Sequence, residues 1–275
     1  MRVFKAKATV QDLLYRKGGV RADVRVVPEE VAIALSYGGS THAVMMATPA
    51  DLEDFAVGFS LTEGIIVSPD EIERIEIVEE ERGIDVQIGL ADEKEEALRL
   101  RRRHMAGPVG CGLCGIESID QAMRTVPRLA ALELRLSAPD VSAAVAALNG
   151  AQPLHGDTHA VHGAGFFLPG RGLAAVREDV GRHNALDKLA GAVVRQDLNG
   201  ADGAVVVTSR ISVEMVQKTA ILGSPILIAI SAPTALAVRT AEEAGMTLVA
   251  LARGEEFEVF TRPERIGRGA IADVA

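Results

Sequence analysis

The hexapeptide Gly110-Cys111-Gly112-Leu113-Cys114-Gly115 contains both cysteines of this 275-residue chain. Two thiols separated by two residues can form a redox couple, half of a metal site, or a nucleophile with a helper. A thioredoxin-like couple opens a helix directly after a strand. This pair instead follows LRLRRRHMAGPV and is flanked by Gly107, Gly110, Gly112 and Gly115, which predicts a mobile loop. Arg101, Arg102, Arg103 and His104 place positive charge just upstream. That charge and the free N–H groups around glycines favour thiolate, the nucleophilic form. A solvated helix face accounts for the arginine run equally well.

A second set of chemically competent residues follows three apolar segments: Thr208-Ser209-Arg210 after AVVV, Ser231-Ala232-Pro233-Thr234 after ILIAI, and Arg253-Gly254 after TLVALA. If these segments are parallel strands, the three clusters share the carboxyl edge of one sheet, where helix N-termini also point. Hydroxyls, guanidiniums and backbone N–H groups converging there suit an anionic ligand such as a nucleotide or a phosphorylated cofactor. Taken singly, each cluster reads as a helix cap with a solvated arginine.

Arg177 to Lys188 (REDVGRHNALDK) is dense in ionisable groups and enters a helix. One-turn spacing of His183 with Asp187 and of Asn184 with Lys188 predicts pairing along that helix. A site wall or a subunit contact fits the same composition. Gly170-Arg171-Gly172 resembles part of a dinucleotide fingerprint, but it lies between two extended segments and reads as a hairpin turn. His155, His159 and His162 lack the paired-ligand pattern of structural zinc, and no zinc-deaminase signature is present, so no resident metal is expected. A four-thiolate site shared between two subunits stays open.

These groups need a scaffold. A chain 48% hydrophobic and 24% charged is globular, and a net charge of -9 argues against a nucleic-acid binder. Two cysteines and a polar start, MRVFKAKATVQD, point to a reducing cytoplasm. The uncharged run Thr219 to Val238 has the length of a membrane span, but Gly223-Ser224-Pro225 and Ser231-Ala232-Pro233 divide it into helix end, buried strand and helix start. The first half reads as strands VRVV, VAIALSY, AVMMA, IERIEIVEE and IDVQIGL with one helix, capped at Thr48-Pro49 and ending near Gly64. The run ADEKEEALRLRRRH is helical or extended. From Ser137 onward strands alternate with helices, which predicts parallel crossovers and a sheet covered on both faces. Within it, THAVHGAGFFL and LAAVRE read as strands. The expected organisation is an α+β domain over residues 1–120 and an α/β domain over residues 121–275, with the boundary between Gly115 and Ser137.

GCGLCGIESI, REDVGRHNALDKL, TSRISVEMVQK, ISAPTALAV and LARGEEFEVFTRPERI, with FSLTEGII in the first half, together closely resemble the formate dehydrogenase accessory sulfurtransferases, the FdhD family. The resemblance spans nearly the whole chain. It implies that Cys111, as persulfide carrier, and Cys114, as its partner, take sulfur from a cysteine desulfurase and pass it to the bis(molybdopterin guanine dinucleotide) molybdenum cofactor of formate dehydrogenase. It also implies a homodimer, a C-terminal three-layer α/β/α domain of cytidine-deaminase-like architecture, and guanine-nucleotide binding. The cofactor segment would be Leu251, Ala252, Arg253, Gly254, Glu255 and Glu256, beside Thr208, Ser209, Arg210, Ser231, Thr234 and His183. One departure stands out: Ser209 occupies a position where the family pattern has glycine, and its Cβ makes a left-handed backbone costlier. The alternatives are a cofactor-binding chaperone without thiol chemistry and a dithiol oxidoreductase.

Overall fold

The computed structural model describes residues 4–91, 94, 95, 98, 126–129 and 133–267. Fourteen strands and six α-helices are assigned among them, apart from the helical residues Lys94, Glu95 and Leu98. The first half contributes β1 (Lys7–Arg16), β2 (Gly19–Pro28), β3 (Val31–Tyr37), β4 (Ser40–Ala47), α1 (Leu52–Thr62), β5 (Ile72–Glu79) and β6 (Gly83–Leu90). The second contributes β7 (Leu136–Ser137), α2 (Ala138–Gly150), α3 (Pro153–Thr158), β8 (His162–Leu168), β9 (Gly172–Asp179) and α4 (Arg182–Arg195). There follow β10 (Ala204–Val207), α5 (Val213–Leu222), β11 (Ile226–Ala229), α6 (Ala235–Ala244), β12 (Thr247–Arg253), β13 (Glu256–Thr261) and β14 (Ile266–Gly267).

The larger sheet has the order β13-β12-β11-β10-β8-β9. Its central strands β10, β11 and β12 are parallel, as the alternation of strands and helices predicts, while β8, β9 and β13 join antiparallel. Residues two apart in a strand share a face. Val205, Val207, Leu227, Ala229, Leu248 and Ala250 thus pack with α4, α5 and α6, and Ala204, Val206, Ile226, Ile228 and Val249 pack with α2 on the opposite face. The result is the expected α/β/α layering. Thr219 to Val238 resolves into the end of α5, β11 and the start of α6. Among the described residues no helix is long and apolar enough to cross a membrane.

The smaller sheet, β4-β3-β6-β5, packs the alternate residues Val31, Ile33, Leu35, Ile84, Val86 and Ile88 under Phe55, Ala56 and Phe59 of α1. Gly38 and Gly39, both at positive φ, make the hairpin expected between β3 and β4. Gly170 and Gly172 do the same between β8 and β9, so this motif is a turn.

Three local expectations change, and one left open is decided. Helix α1 is not capped at Thr48: its cap is Asp51 in a left-handed conformation. Thr48 is buried, its N–H donating to Asp179 Oδ2 at 2.9 Å and its Oγ1 accepting from Val180 N at 3.1 Å, so tertiary bonds outcompete the cap. The extended stretch expected from Thr158 begins only at His162, because Pro153–Thr158 is helical and His159 closes it at φ 55°. Strands β1 and β13, absent from the sequence reading, exist as hairpin partners of β2 and β12. Lys94, Glu95 and Leu98 are helical.

Helices α1 and α4 join the two sheets. Their backbones touch at two glycines: a Cβ built on Gly58 would lie closer than 3.0 Å to Asp187 O, and one on Gly191 equally close to Asp54 O. Buried polar pairs flank the crossing. Asp179 accepts from Lys188 Nζ at 2.7 Å, with neither side chain exposed, and Lys188 Nζ also donates to Thr48 O at 2.8 Å. Lys218 Nζ bonds Asp187 Oδ1 at 2.8 Å, Glu63 Oε1 at 2.8 Å and Thr62 Oγ1 at 3.1 Å. Burial works to lower the Lys218 pKa, but the carboxylates of Asp187 and Glu63 outweigh it and hold it above the usual ammonium value. Asp54 receives Arg177 Nη2 and Arg195 Nη1, each at 2.5 Å.

Overpacking at such a contact costs about 2–3 kcal/mol. Gly58→Ala and Gly191→Ala should therefore each lower the unfolding free energy by that amount, read as a lower urea midpoint at unchanged slope. At Gly150 nothing lies within 4 Å of a built Cβ, so Gly150→Ala in α2 should be neutral or stabilise by up to about 1 kcal/mol. Equal midpoints for all three would show that the helices do not approach so closely.

Candidate functional site

Parallel strands joined by helical crossovers bring their carboxyl ends to one edge, and here backbone bonds stitch the three loops together. Ile230 N donates to Val207 O at 3.1 Å, Ile211 N to Ala232 O at 3.2 Å and Thr234 N to Ile211 O at 3.0 Å. Leu251 N reaches Ser231 O at 3.3 Å. Antiparallel β8 starts at the same edge, where Thr208 N donates to Gly163 O at 3.0 Å. Strand β9 ends there with Asp179, and α4 begins with Arg182 and His183.

The strand-end clusters read from the sequence are thus brought together, with individual roles. Thr208 Oγ1 accepts from Gly163 N at 3.0 Å, and Thr234 Oγ1 caps α6 by accepting from Ala237 N at 3.2 Å, so both hydroxyls serve the scaffold. Ser209 is buried without positive φ, and its Oγ donates to Arg210 O at 3.3 Å; the replacement of glycine brings no left-handed strain. Arg210 is exposed and Ser231 half-buried. Leu251 to Glu256 forms the β12–β13 hairpin. Leu251 and Gly254 have positive φ, a bulge separates Ala250 from Arg253, and Arg253 pairs in register with Glu256. Arg253, Gly254, Glu255 and Glu256 are exposed, whereas Ala252 is buried.

The Arg177–Lys188 stretch divides its work. Glu178 accepts from the N–H groups of Leu154 and His155, and Asp179, Asn184, Asp187 and Lys188 turn inward to the junction. The pairings expected along α4 are replaced by these longer-range ones, because a buried carboxylate needs several donors. Arg182 and His183 stay at the edge. His183 Nε2 lies 2.9 Å from Glu214 Oε2 and 3.4 Å from Ser212 Oγ. Its hydrogen bond is the main cause that depresses the Glu214 pKa to about 2, against partial burial. Arg182 adds to that depression, and its Nε is buried without a hydrogen-bond partner among the described residues. Burial lowers the His162 pKa, and the Arg182 charge lowers it further.

Arg182, Ser212, Glu214 and His162 were not among the site residues read from the sequence. Arg182 was legible within a charged stretch and His162 within a histidine cluster weighed only as a metal site, but Ser212 and Glu214 depend on which chain segments meet. Two helix N-termini, those of α4 and α5, lack side-chain caps and open on this edge. With the guanidiniums of Arg182, Arg210 and Arg253, they form a surface able to hold an anionic group. Among the described residues no group of three or more His, Cys, Asp or Glu could hold a metal ion. Cys111, Cys114 and the Arg101–His104 run lie outside the described residues.

Comparison with known proteins adds an independent line. Residues 28–267 match the model of the FdhD/NarQ family. A protein of Agrobacterium fabrum named sulfur carrier protein FdhD is 66% identical over 251 residues, 91% of this chain and 93% of its own. Its namesake in Brucella abortus is 59% identical, covering 95% and 97%. A crystal structure from Desulfotalea psychrophila, provisionally named a formate dehydrogenase accessory protein, superposes with a TM-score of 0.76 at 28% identity, over 95% of this chain and 100% of that one.

The His183–Glu214 pair has a pH signature. A carboxylate whose folded pKa is depressed stabilises the fold above its ordinary value of 4.5, and that contribution is lost as pH falls from 4.5 to about 2. Glu214→Gln should therefore be less stable than the parent above pH 4.5, with the gap closing through this window in urea titrations. A gap that stays constant would show that His183 does not hold Glu214.

Proposed function

The chain belongs to the FdhD/NarQ family, and on that premise we propose that it is a sulfurtransferase serving formate dehydrogenase maturation. A cysteine desulfurase supplies the sulfur, and the bis(molybdopterin guanine dinucleotide) molybdenum cofactor is the substrate that receives it. The protein works as a homodimer in the cytoplasm. One observation carries the assignment of the binding face: strand-end loops distant in sequence are stitched into a single edge with two helix N-termini that lack side-chain caps and an Arg182 Nε that has no partner among the described residues. Such an edge suits the phosphates of a guanine dinucleotide. The names of the relatives and the sole thiol pair support sulfur chemistry.

The thiol steps follow from ordinary exchange chemistry. The Cys111 thiolate attacks the outer sulfur of the donor persulfide, the donor leaves as thiolate, and Cys111 becomes the persulfide. The Cys114 thiolate can then attack the Cys111 sulfur, which forms the Cys111–Cys114 disulfide and expels the outer sulfur as sulfide for the substrate. A dithiol reductant must then return both thiols. In the shorter alternative the outer sulfur leaves at the sulfane level, Cys111 remains a thiolate, and the acceptor supplies the two electrons that reduce that sulfur to sulfide. Holding donor sulfur and acceptor on one protein removes part of the entropic barrier.

Incubation with a cysteine desulfurase and cysteine should add the mass of one sulfur atom, removable by thiol reductant and absent from Cys111→Ala. That variant should fail to activate formate dehydrogenase while still binding guanine nucleotide. No adduct on the parent chain, when a known acceptor is labelled in parallel, would reject sulfur transfer. Full activation by both cysteine variants would favour a cofactor chaperone instead.

A further inference from the structure

Glu214 is the second residue of α5, and the groups around it spend their donors on its carboxylate. Ser212 stands at the cap position, yet its Oγ donates to Glu214 Oε2 at 3.2 Å, and α5 carries no side-chain cap among the described residues. His183 Nε2 reaches the same oxygen at 2.9 Å from the first turn of α4. The His183 bond, with the Arg182 charge behind it, holds the Glu214 carboxyl at about 2, so it is ionised and His183 Nε2 carries the proton. Two other titratable groups lie on this side. His162 of β8 feels the charges of Arg182 and His183, and Asp179 is already committed to Lys188, Asn184 and Gly181 N.

Every group that bonds or attracts Glu214 is one that would serve a phosphate. A helix N-terminus, a hydroxyl, an imidazole N–H and a guanidinium form a usual phosphate-binding set, and here a carboxylate of the protein's own has taken it. A carboxylate that merely orients a histidine sits behind the ring, buried and away from the ligand. Glu214 does not: its side chain is 27% exposed, His183 is 26% exposed, and the carboxylate lies on the opening turn of α5, where the helix dipole draws anions.

We propose that Glu214 is a built-in competitor on this face: its carboxylate holds the donors that a phosphate group of the ligand takes, and the ligand binds by exchange with it. The inference deepens the proposed function and rests on reading the edge as the nucleotide-binding face, not on the thiol chemistry. Exchange conserves hydrogen bonds. His183 Nε2–H and Ser212 Oγ–H pass from one anion to another, while Glu214 turns out to water, which its partial exposure permits. The bonds that Glu214 gives up are subtracted from the affinity of the ligand. For a protein that hands its cargo on, this keeps binding reversible, because the His183–Glu214 pair re-forms as the phosphate departs.

Calorimetric titration with guanosine diphosphate tests the exchange. Glu214→Gln should bind about tenfold more tightly than the parent chain, the worth of roughly one hydrogen bond to a charged group. The same substitution weakens the fold, so a gain in affinity has no origin in damage. With His183→Asn in both chains the gain should shrink to about twofold or less, whereas simple repulsion between Glu214 and the ligand would preserve it. A crystal structure of the unmodified chain with guanosine diphosphate supplies a check that no variant can confuse: a phosphate oxygen should stand within hydrogen-bond reach of His183 Nε2, and Glu214 should have left it. Glu214→Gln binding no more tightly, a gain undiminished without His183, or a complex in which Glu214 still holds His183 would each remove the competitor and leave the nucleotide face standing. A parent chain that binds no guanosine diphosphate would remove the face itself, and the competitor with it, without touching the sulfur chemistry.

Discussion

The glycine contact between α1 and α4 governs the placement of almost everything else. Backbones can approach this closely only where no Cβ intervenes, and Gly58 and Gly191 supply that on both sides. The close approach lets short bonds form across the junction: Thr48 to Asp179, Thr62 to Asp187, Asp54 to Arg177 and Arg195. Buried ion pairs recover little net stability once desolvation is counted, but leaving one partner alone costs about 3–5 kcal/mol. Lys188 and Lys218, paired with Asp179 and Asp187 of the second half, also bond Thr48 O, Thr62 Oγ1 and Glu63 Oε1 on the α1 side, and so act chiefly by penalising any other arrangement of the two helices.

That register decides where α4 begins. Asp179 accepts from Gly181 N at 2.7 Å and from Asn184 Nδ2 at 3.1 Å, so the turn entering α4 is bonded to the same buried carboxylate that anchors Lys188. Arg182 and His183, the first residues of the helix, are consequently held at the sheet edge. There His183 meets Glu214 and Ser212 from the start of α5. The interior network and the surface cluster are two ends of one stretch of chain, its residues sorted by which side of the helix they occupy.

The edge itself is rigid for a different reason. Parallel strands leave polar loops at their ends, and the bonds among Val207, Ile211, Ala232 and Ser231 let these loops satisfy one another. Ligand-facing groups are what remains when this internal demand is met. Thr208 and Thr234 are consumed by it, whereas Arg210, Arg253 and the Arg182 Nε are not.

The sequence alone determined the α/β class, the parallel run of β10 to β12, the glycine hairpins and the convergence of three strand ends, because each depends on local periodicity and turn chemistry. The family motifs were equally legible, being contiguous. Tertiary structure alone decided that Thr48 abandons its capping role and that Asp187 pairs with Lys218 and not with His183. It also drew Ser212 and Glu214 into the edge. The polar outcomes turn on partners more than twenty residues apart, and a buried polar group chooses its partner by the geometry of the whole fold, which no local pattern encodes.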